Sequence, residues 1–222
     1  LRGSAEIELE PEPATDWWAS VVAELERDGR KVVHGRWLVG GHPRAVLVDP
    51  LLPPDRIELL RHRLQRDHGI PPARGNALVD GVIGFGEAVH ALLVAAARHA
   101  GGQPLLVHFH EWLGGVALPL AHKGSLPLAT VFTTHATSVG RYAASGTEDF
   151  YDHLSKLDGD LESTRFGIET QHAIERICAT EADVFTTVSP ITGEECAHLL
   201  GRAPDLVTPN GLDLAHFDLG HD

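Results

Sequence analysis

Two histidines that alternate with apolar residues, His108 and His110, run directly into Glu111 in LLVHFHEW (Leu105 to Trp112), and His135 ends a second apolar run in ATVFTTHATSVGRY (Ala129 to Tyr142). Residues two apart on a strand share a face, so with a third imidazole nearby the group has the residue types of a metal site. Zinc needs three or four ligands, each held in place by a hydrogen-bonded partner, and the segment lacks the further His or Asp of such sites. The favoured reading is therefore no metal, with one histidine turned inward onto backbone and the other near a cleft. The run Thr133, Thr134, His135, Ala136 and Thr137 suits a different chemistry, because short polar residues past a buried strand leave backbone amides and an imidazole free to meet a sugar or a phosphate. Structural caps use the same residue types, and both readings stand at this point. Arg141 lies six residues on, where a guanidinium could neutralise a phosphate or simply be solvated.

Other candidates resolve more blandly. The acid-rich segment Thr147 to Ser163 could supply paired carboxylates, but its acids read as a solvated helix face. Gly81, Gly84 and Gly86 lack the GxGxxG spacing of a dinucleotide loop and follow no strand, so they predict close helix packing. Asn210-Gly211 reads as a tight turn at the cleft edge, with a ligand or interdomain role open.

The elements that must position these residues follow from the pattern of the chain. Strands are predicted at 105–109, 128–133, 184–188 and 205–208, with helices at 112–122 and 190–200 and a long loop plus two helices between 134 and 183. Ser189-Pro190 is a well-formed helix start. The alternation makes a parallel sheet with helices on both faces over a β/α core at 104–211, and its ligand crevice lies at the carboxyl ends of the strands. Upstream, helices are predicted from Asp16 to Gly29, through Ile57, Leu60 and Leu64 to Gly69, and from Ala77 to Ala100. Residues 31–49 read as an antiparallel hairpin, turning at Gly40 and Gly41, on an edge of the sheet.

Bulk properties bound the function. At 222 residues and 43% hydrophobic the chain suits one domain, 1–222. A net charge of −13, from 18 basic and 31 acidic residues, argues against a nucleic-acid partner. Cys178 and Cys196 have no CxxC spacing and read as reduced thiols. The acidic start (Glu6, Glu8, Glu10, Glu12) is no signal peptide, and the apolar stretches read as too short for a membrane span, which predicts a cytoplasmic protein. The chain has no methionine, even at position 1, and reads as a fragment.

These residues carry a resemblance. FHEW (Phe109 to Trp112), FTTHAT (Phe132 to Thr137) with Gly140 and Arg141, DFY (Asp149 to Tyr151), VFTTVS (Val184 to Ser189) with Ile191 and Thr192, and VTPNGL (Val207 to Leu212) resemble the glycogen synthases of the animal and fungal type, glycosyltransferase family 3. HGRWL (His34 to Leu38) is similar to an earlier hairpin of that family. The resemblance implies the N-terminal Rossmann-like lobe of a two-lobed GT-B glycosyltransferase. Such enzymes transfer glucose from UDP-glucose, or ADP-glucose, to the 4-hydroxyl at the non-reducing end of glycogen or another α-glucan, with retention and without a metal or other cofactor. By position it places His135 against the donor glucose and Arg141 at the donor phosphates as catalytic residues, Glu111 near the sugar or acceptor, and Asn210 and Gly211 where the chain crosses to the second lobe. Thr134 and Thr137 join Glu111, Asn210 and Gly211 as expected substrate-binding residues. The family's first strand with its glycine-rich loop and its C-terminal lobe are missing from this sequence. The fragment alone is thus expected to be inactive, with an exposed sheet edge that favours association, homo-oligomers included. Two alternatives are a non-catalytic glucan-binding or regulatory lobe, and another GT-B enzyme that uses a free sugar nucleotide.

Overall fold

Residues 7–9, 17–73, 75–146 and 149–211 are described by the structure, a computed structural model. β1 (Ile7–Leu9) precedes α1 (Trp17–Arg27), which buries Val21, Val22 and Leu25 and ends before Gly29 at φ 78°. β2 (Val32–Trp37) and β3 (Arg44–Val48) form the predicted hairpin, with Gly41 at φ 84° in the turn. The hairpin does not sit on the edge of the parallel sheet. β1 pairs antiparallel with the free side of β2, so the three strands make a sheet of their own, ordered β1-β2-β3. Gly35 permits this, because a Cβ there would overlap the Glu8 carbonyl. Three residues with a central glutamate are too short for strand periodicity to reveal β1 in the sequence.

α2 (Pro54–His68) starts on a proline and stops at Gly69, φ 69°. α3 (Ala77–His99) is capped by the Asn76 side chain, which accepts from the Leu78 and Val79 amides. By length and composition α3 could cross a membrane, with a mean hydropathy of 1.6 over its most apolar window, which corrects the expectation that no stretch is long enough. Its packed side meets α1, α2 and the helices that follow. Of its glycines, Gly84 and Gly86 allow the close packing expected, whereas Gly81 faces open space. A Cβ at Gly84 would overlap the Pro50 carbonyl oxygen, and one at Gly86 would lie 2.6 Å from Val116 Cγ1. Gly84→Ala should therefore destabilise the fold by about 1–3 kcal/mol. Gly81→Ala, on the same helix, should instead stabilise it by up to about 1 kcal/mol. Chemical denaturation of both variants checks the contrast, and equal effects would show that close approach does not govern this helix.

β4 (Leu105–His110), α4 (Glu111–Gly115), α5 (Ala117–Lys123) and β5 (Leu128–Thr134) follow in order. The single helix predicted at 112–122 is thus two, joined at Val116. Next come α6 (Ser138–Gly146), α7 (Phe150–His153), a 3-10 turn, α8 (Gly159–Phe166) and α9 (Glu169–Glu181), more helix than the loop and two helices predicted. β6 (Val184–Thr187), α10 (Pro190–Glu195) with a π turn over Cys196–Leu200, and β7 (Leu206–Val207) complete the described chain. The last four strands make a parallel sheet, ordered β4-β5-β6-β7 and flanked by helices, as an α/β lobe requires. On one face Phe109, Phe132 and Phe185 lie in neighbouring register, and they pack with Val116, Ile174 and Cys178 in the main core. On the other face the described residues leave Leu106 69% and Leu206 60% exposed.

Candidate functional site

The site is built where β4, β5 and β6 end. β4 delivers His110, and the next residue, Glu111, opens α4 in the left-handed region at φ 58°. A non-glycine residue pays about 1–2 kcal/mol for that conformation, and such strain clusters at functional positions. The bend aims the Glu111 carboxylate at the end of β5. Its Oε1 accepts the His135 backbone N–H at 2.9 Å and lies 3.4 Å from Arg141 Nη2. One oxygen of a carboxylate from the end of β4 thereby joins two residues singled out six positions apart in the segment after β5.

Two further carboxylates hold the same loop from beneath. Glu175, fully buried on α9, receives the Ser138 N–H on Oε2 at 2.8 Å, and its Oε1 lies 2.9 Å from Thr134 Oγ1. Glu195, at the end of α10, accepts the Thr137 N–H at 3.3 Å and the Thr137 hydroxyl at 2.9 Å on Oε2, and the Tyr151 hydroxyl at 2.9 Å on Oε1. Burial, reinforced by the bond to Glu195, raises the Tyr151 phenol above its usual range and keeps it a donor. Thr137 Oγ1 accepts the Gly140 N–H at 2.9 Å, and at Gly140 a Cβ would lie 2.5 Å from that oxygen. Thus residues 134–141 are fixed by three glutamates from three helices, while the His135 side chain stays half-buried and that of Arg141 58% exposed.

The expected site residues separate on this geometry. Glu111, His135 and Arg141 come together. Thr134 and Thr137 are fully buried, and their hydroxyls bond within the loop and to Glu175 and Glu195, so in this structure they support the loop. Asn210 and Gly211 are exposed, in irregular backbone and not in a tight turn, just beyond the Thr208 N–H bond to the Thr187 carbonyl at 2.7 Å. No hydrogen bond joins them to the Glu111 cluster among the described residues.

The histidine pair also differs from expectation. Phe109 takes the inward position of β4, so His108 and His110 both lie on the outer face, rings stacked at 4.1 Å. His108 Nε2 is 2.6 Å from Thr133 Oγ1, a side-chain partner and not backbone. Burial lowers the pKa of both rings, and for His110 the neighbouring His108 and His135 add to the shift. His110 and His135 meet at 6.1 Å between ring centres. Among the described residues no group of three or more His, Cys, Asp or Glu side chains is arranged to hold a metal ion. In the acid-rich segment, Asp158 caps α8 and Asp160 pairs with Arg176 at 2.6 Å, which are structural tasks.

Sequence reading missed Glu175 and Glu195. The available signal was a charge on an apolar helix face: Glu175 lies beside Ile174 and one turn from Cys178, and Glu195 adjoins Cys196. An acid kept on such a face needs partners.

Comparison with known proteins bears on this arrangement. A family model described as glycogen synthase matches residues 3–222. The chain is 39% identical over 220 residues, 99% of its length, to a glycogen [starch] synthase of Neurospora crassa. It is 42% identical over 203 residues, 89% of its length, to glycogen [starch] synthase isoform 2 of Saccharomyces cerevisiae. Against the liver glycogen [starch] synthase of Rattus norvegicus it is 36% identical over 220 residues, again 99% of its length. It spans only 31%, 28% and 31% of those three relatives, respectively. With the family model matched over nearly all of its length, on an α/β lobe whose strand ends gather Glu111, His135 and Arg141, this chain belongs to the glycogen synthase family.

Proposed function

We propose that the chain is the acceptor-side lobe of a retaining glucosyltransferase, which moves glucose from UDP-glucose to the 4-hydroxyl at the non-reducing end of an α-1,4-glucan in the cytoplasm. The observation that carries this reading is the junction at Glu111, where one carboxylate holds both the His135 amide and the Arg141 guanidinium at the carboxyl edge of a parallel sheet. Breaking the glycosidic bond places negative charge on the departing diphosphate, and fixed donors aimed at that charge lower the barrier. Arg141 supplies a guanidinium suited to phosphate oxygens, and the His135 imidazole supplies a donor beside the glucose. Glu111 Oε1 accepts from both, a holding role, and retention by front-face attack calls for no carboxylate nucleophile. In that reaction the acceptor 4-hydroxyl forms the new bond on the side the phosphate leaves, and the leaving phosphate takes the hydroxyl proton.

Incorporation of radiolabelled glucose from UDP-glucose into glycogen, by the protein from the complete reading frame and by the 222-residue chain beside it, tests the reading. The complete protein should incorporate glucose and the chain alone should not, consistent with its covering under a third of its relatives. Silence from the complete protein with both UDP-glucose and ADP-glucose would overturn the transferase reading, and turnover by the chain alone would overturn the need for a second lobe.

A further inference from the structure

Thr134 poses a question of proton count. Its hydroxyl has one hydrogen, yet Oγ1 lies 3.1 Å from the Ala136 carbonyl oxygen and 2.9 Å from Glu175 Oε1, and both of these are acceptors if the carboxylate is ionised. The second carboxylate oxygen already takes the Ser138 N–H at 2.8 Å. Glu175 and Thr134 are each 0% exposed, so bulk water cannot make good a missing partner, and an unmatched buried polar atom is costly. One added proton on Oε1 satisfies every contact. The carboxyl O–H donates to Thr134 Oγ1, the Thr134 O–H donates to the Ala136 carbonyl, and the Ser138 N–H donates to Oε2.

We propose that Glu175 is a positioning residue for His135: as a neutral carboxylic acid it pins Thr134, Ala136 and Ser138 on either side of His135 and so sets how the loop presents the imidazole. What the imidazole is presented to rests on the transferase reading; the holding of the loop rests on hydrogen-bond geometry alone. Burial pushes the Glu175 carboxyl up to about 7, and the charge of Glu111 across the loop acts in the same direction, against the bonds from Ser138 and Thr134. The other titratable groups facing it are the thiols of Cys178, one turn along α9, and Cys196, in the π turn after α10. Burial is the main cause of the raised pKa of both thiols, so they stay protonated and add no charge. Glu195 holds the opposite side of the loop through Thr137.

The folded-state value lies above the 4.5 of an exposed carboxyl, so the stability linked to this proton is fully present below 4.5, declines as pH rises, and is gone above about 7. Glu175→Gln reproduces the neutral acid, one donor toward Thr134 and one acceptor for Ser138, with no proton to lose; Glu175→Ala removes both.

The test uses the complete protein and both variants, with three readouts: backbone hydrogen exchange across residues 134–141, glucose transfer, and the denaturation midpoint between pH 4.5 and 8. Glu175→Ala should speed exchange in the segment and lower transfer by about tenfold or more, the scale expected when a catalytic group is displaced. Glu175→Gln should restore most of both. The midpoint of the wild type should fall relative to that of Glu175→Gln as pH rises from 4.5, and level off above about 7. If Glu175→Gln exchanges as fast as Glu175→Ala, or if the midpoint gap is flat across the window, the proposal is overturned. Absence of transfer in the wild type would sink the transferase reading separately, and the exchange and midpoint readouts would still decide whether a neutral Glu175 holds the loop.

Discussion

His135→Ala in the complete protein should lower glucose transfer by about 10²–10³-fold, the usual consequence of removing one preorganised donor at the site of developing charge. It should hardly alter the fold. Glu111 holds His135 by the backbone N–H, at 2.9 Å, and alanine keeps that N–H. The imidazole is only half-buried, and its ring meets His110 at a 6.1 Å centroid separation, so little packing is lost. A shift within about 0.5 kcal/mol is the ordinary result for such a position. Loss of transfer with an unchanged denaturation midpoint would place the imidazole in the chemistry. Parallel losses of transfer and stability would make it a structural residue, and full activity would remove it from the mechanism.

The contrast between the His135 side chain and its amide shows which parts of the site are legible in sequence. Strands β4, β5 and β6 could be read because each concentrates β-branched and aromatic residues into a short run, and local pattern suffices for that. The polar loop after β5 was equally visible, and so was its ambiguity, since Thr134 and Thr137 are the residue types both of a ligand contact and of a loop support. Only the fold decides. Thr134 meets an acid 41 residues later, and Thr137 one 58 residues later. Pairings at that separation leave no local periodicity, only a charged residue on an otherwise apolar face. The orientation of His108 and His110 followed the strand alternation once Phe109 is recognised as the core residue, and the expectation of one inward histidine set that alternation aside. β1 and the division between α4 and α5 were hidden for a simpler reason: each is too short for periodicity to speak.

Arg141 carries the other large effect, and its present partner explains why. The guanidinium lies 3.4 Å from Glu111 with the arginine side chain 58% exposed, and an ion pair this open to water contributes at most about 1 kcal/mol. A diphosphate offers several charged oxygens and a planar fork can bind two at once, so phosphate competes well for the group while Glu111 keeps it nearby. If that exchange takes place as the donor bond breaks, Arg141→Ala should cost about 10²–10³-fold in transfer. The loss should fall on kcat more than on KM, because the charge the arginine meets grows toward the transition state. Lysine restores the charge but not the fork, so Arg141→Lys should recover only part of the activity. Neither variant should move the denaturation midpoint appreciably, since only an exposed pair is lost. Steady-state kinetics across UDP-glucose concentrations separates the cases. A rise in KM with kcat retained would limit Arg141 to holding the donor, whereas a fall in kcat with lysine partly effective ties the guanidinium to the departing phosphate.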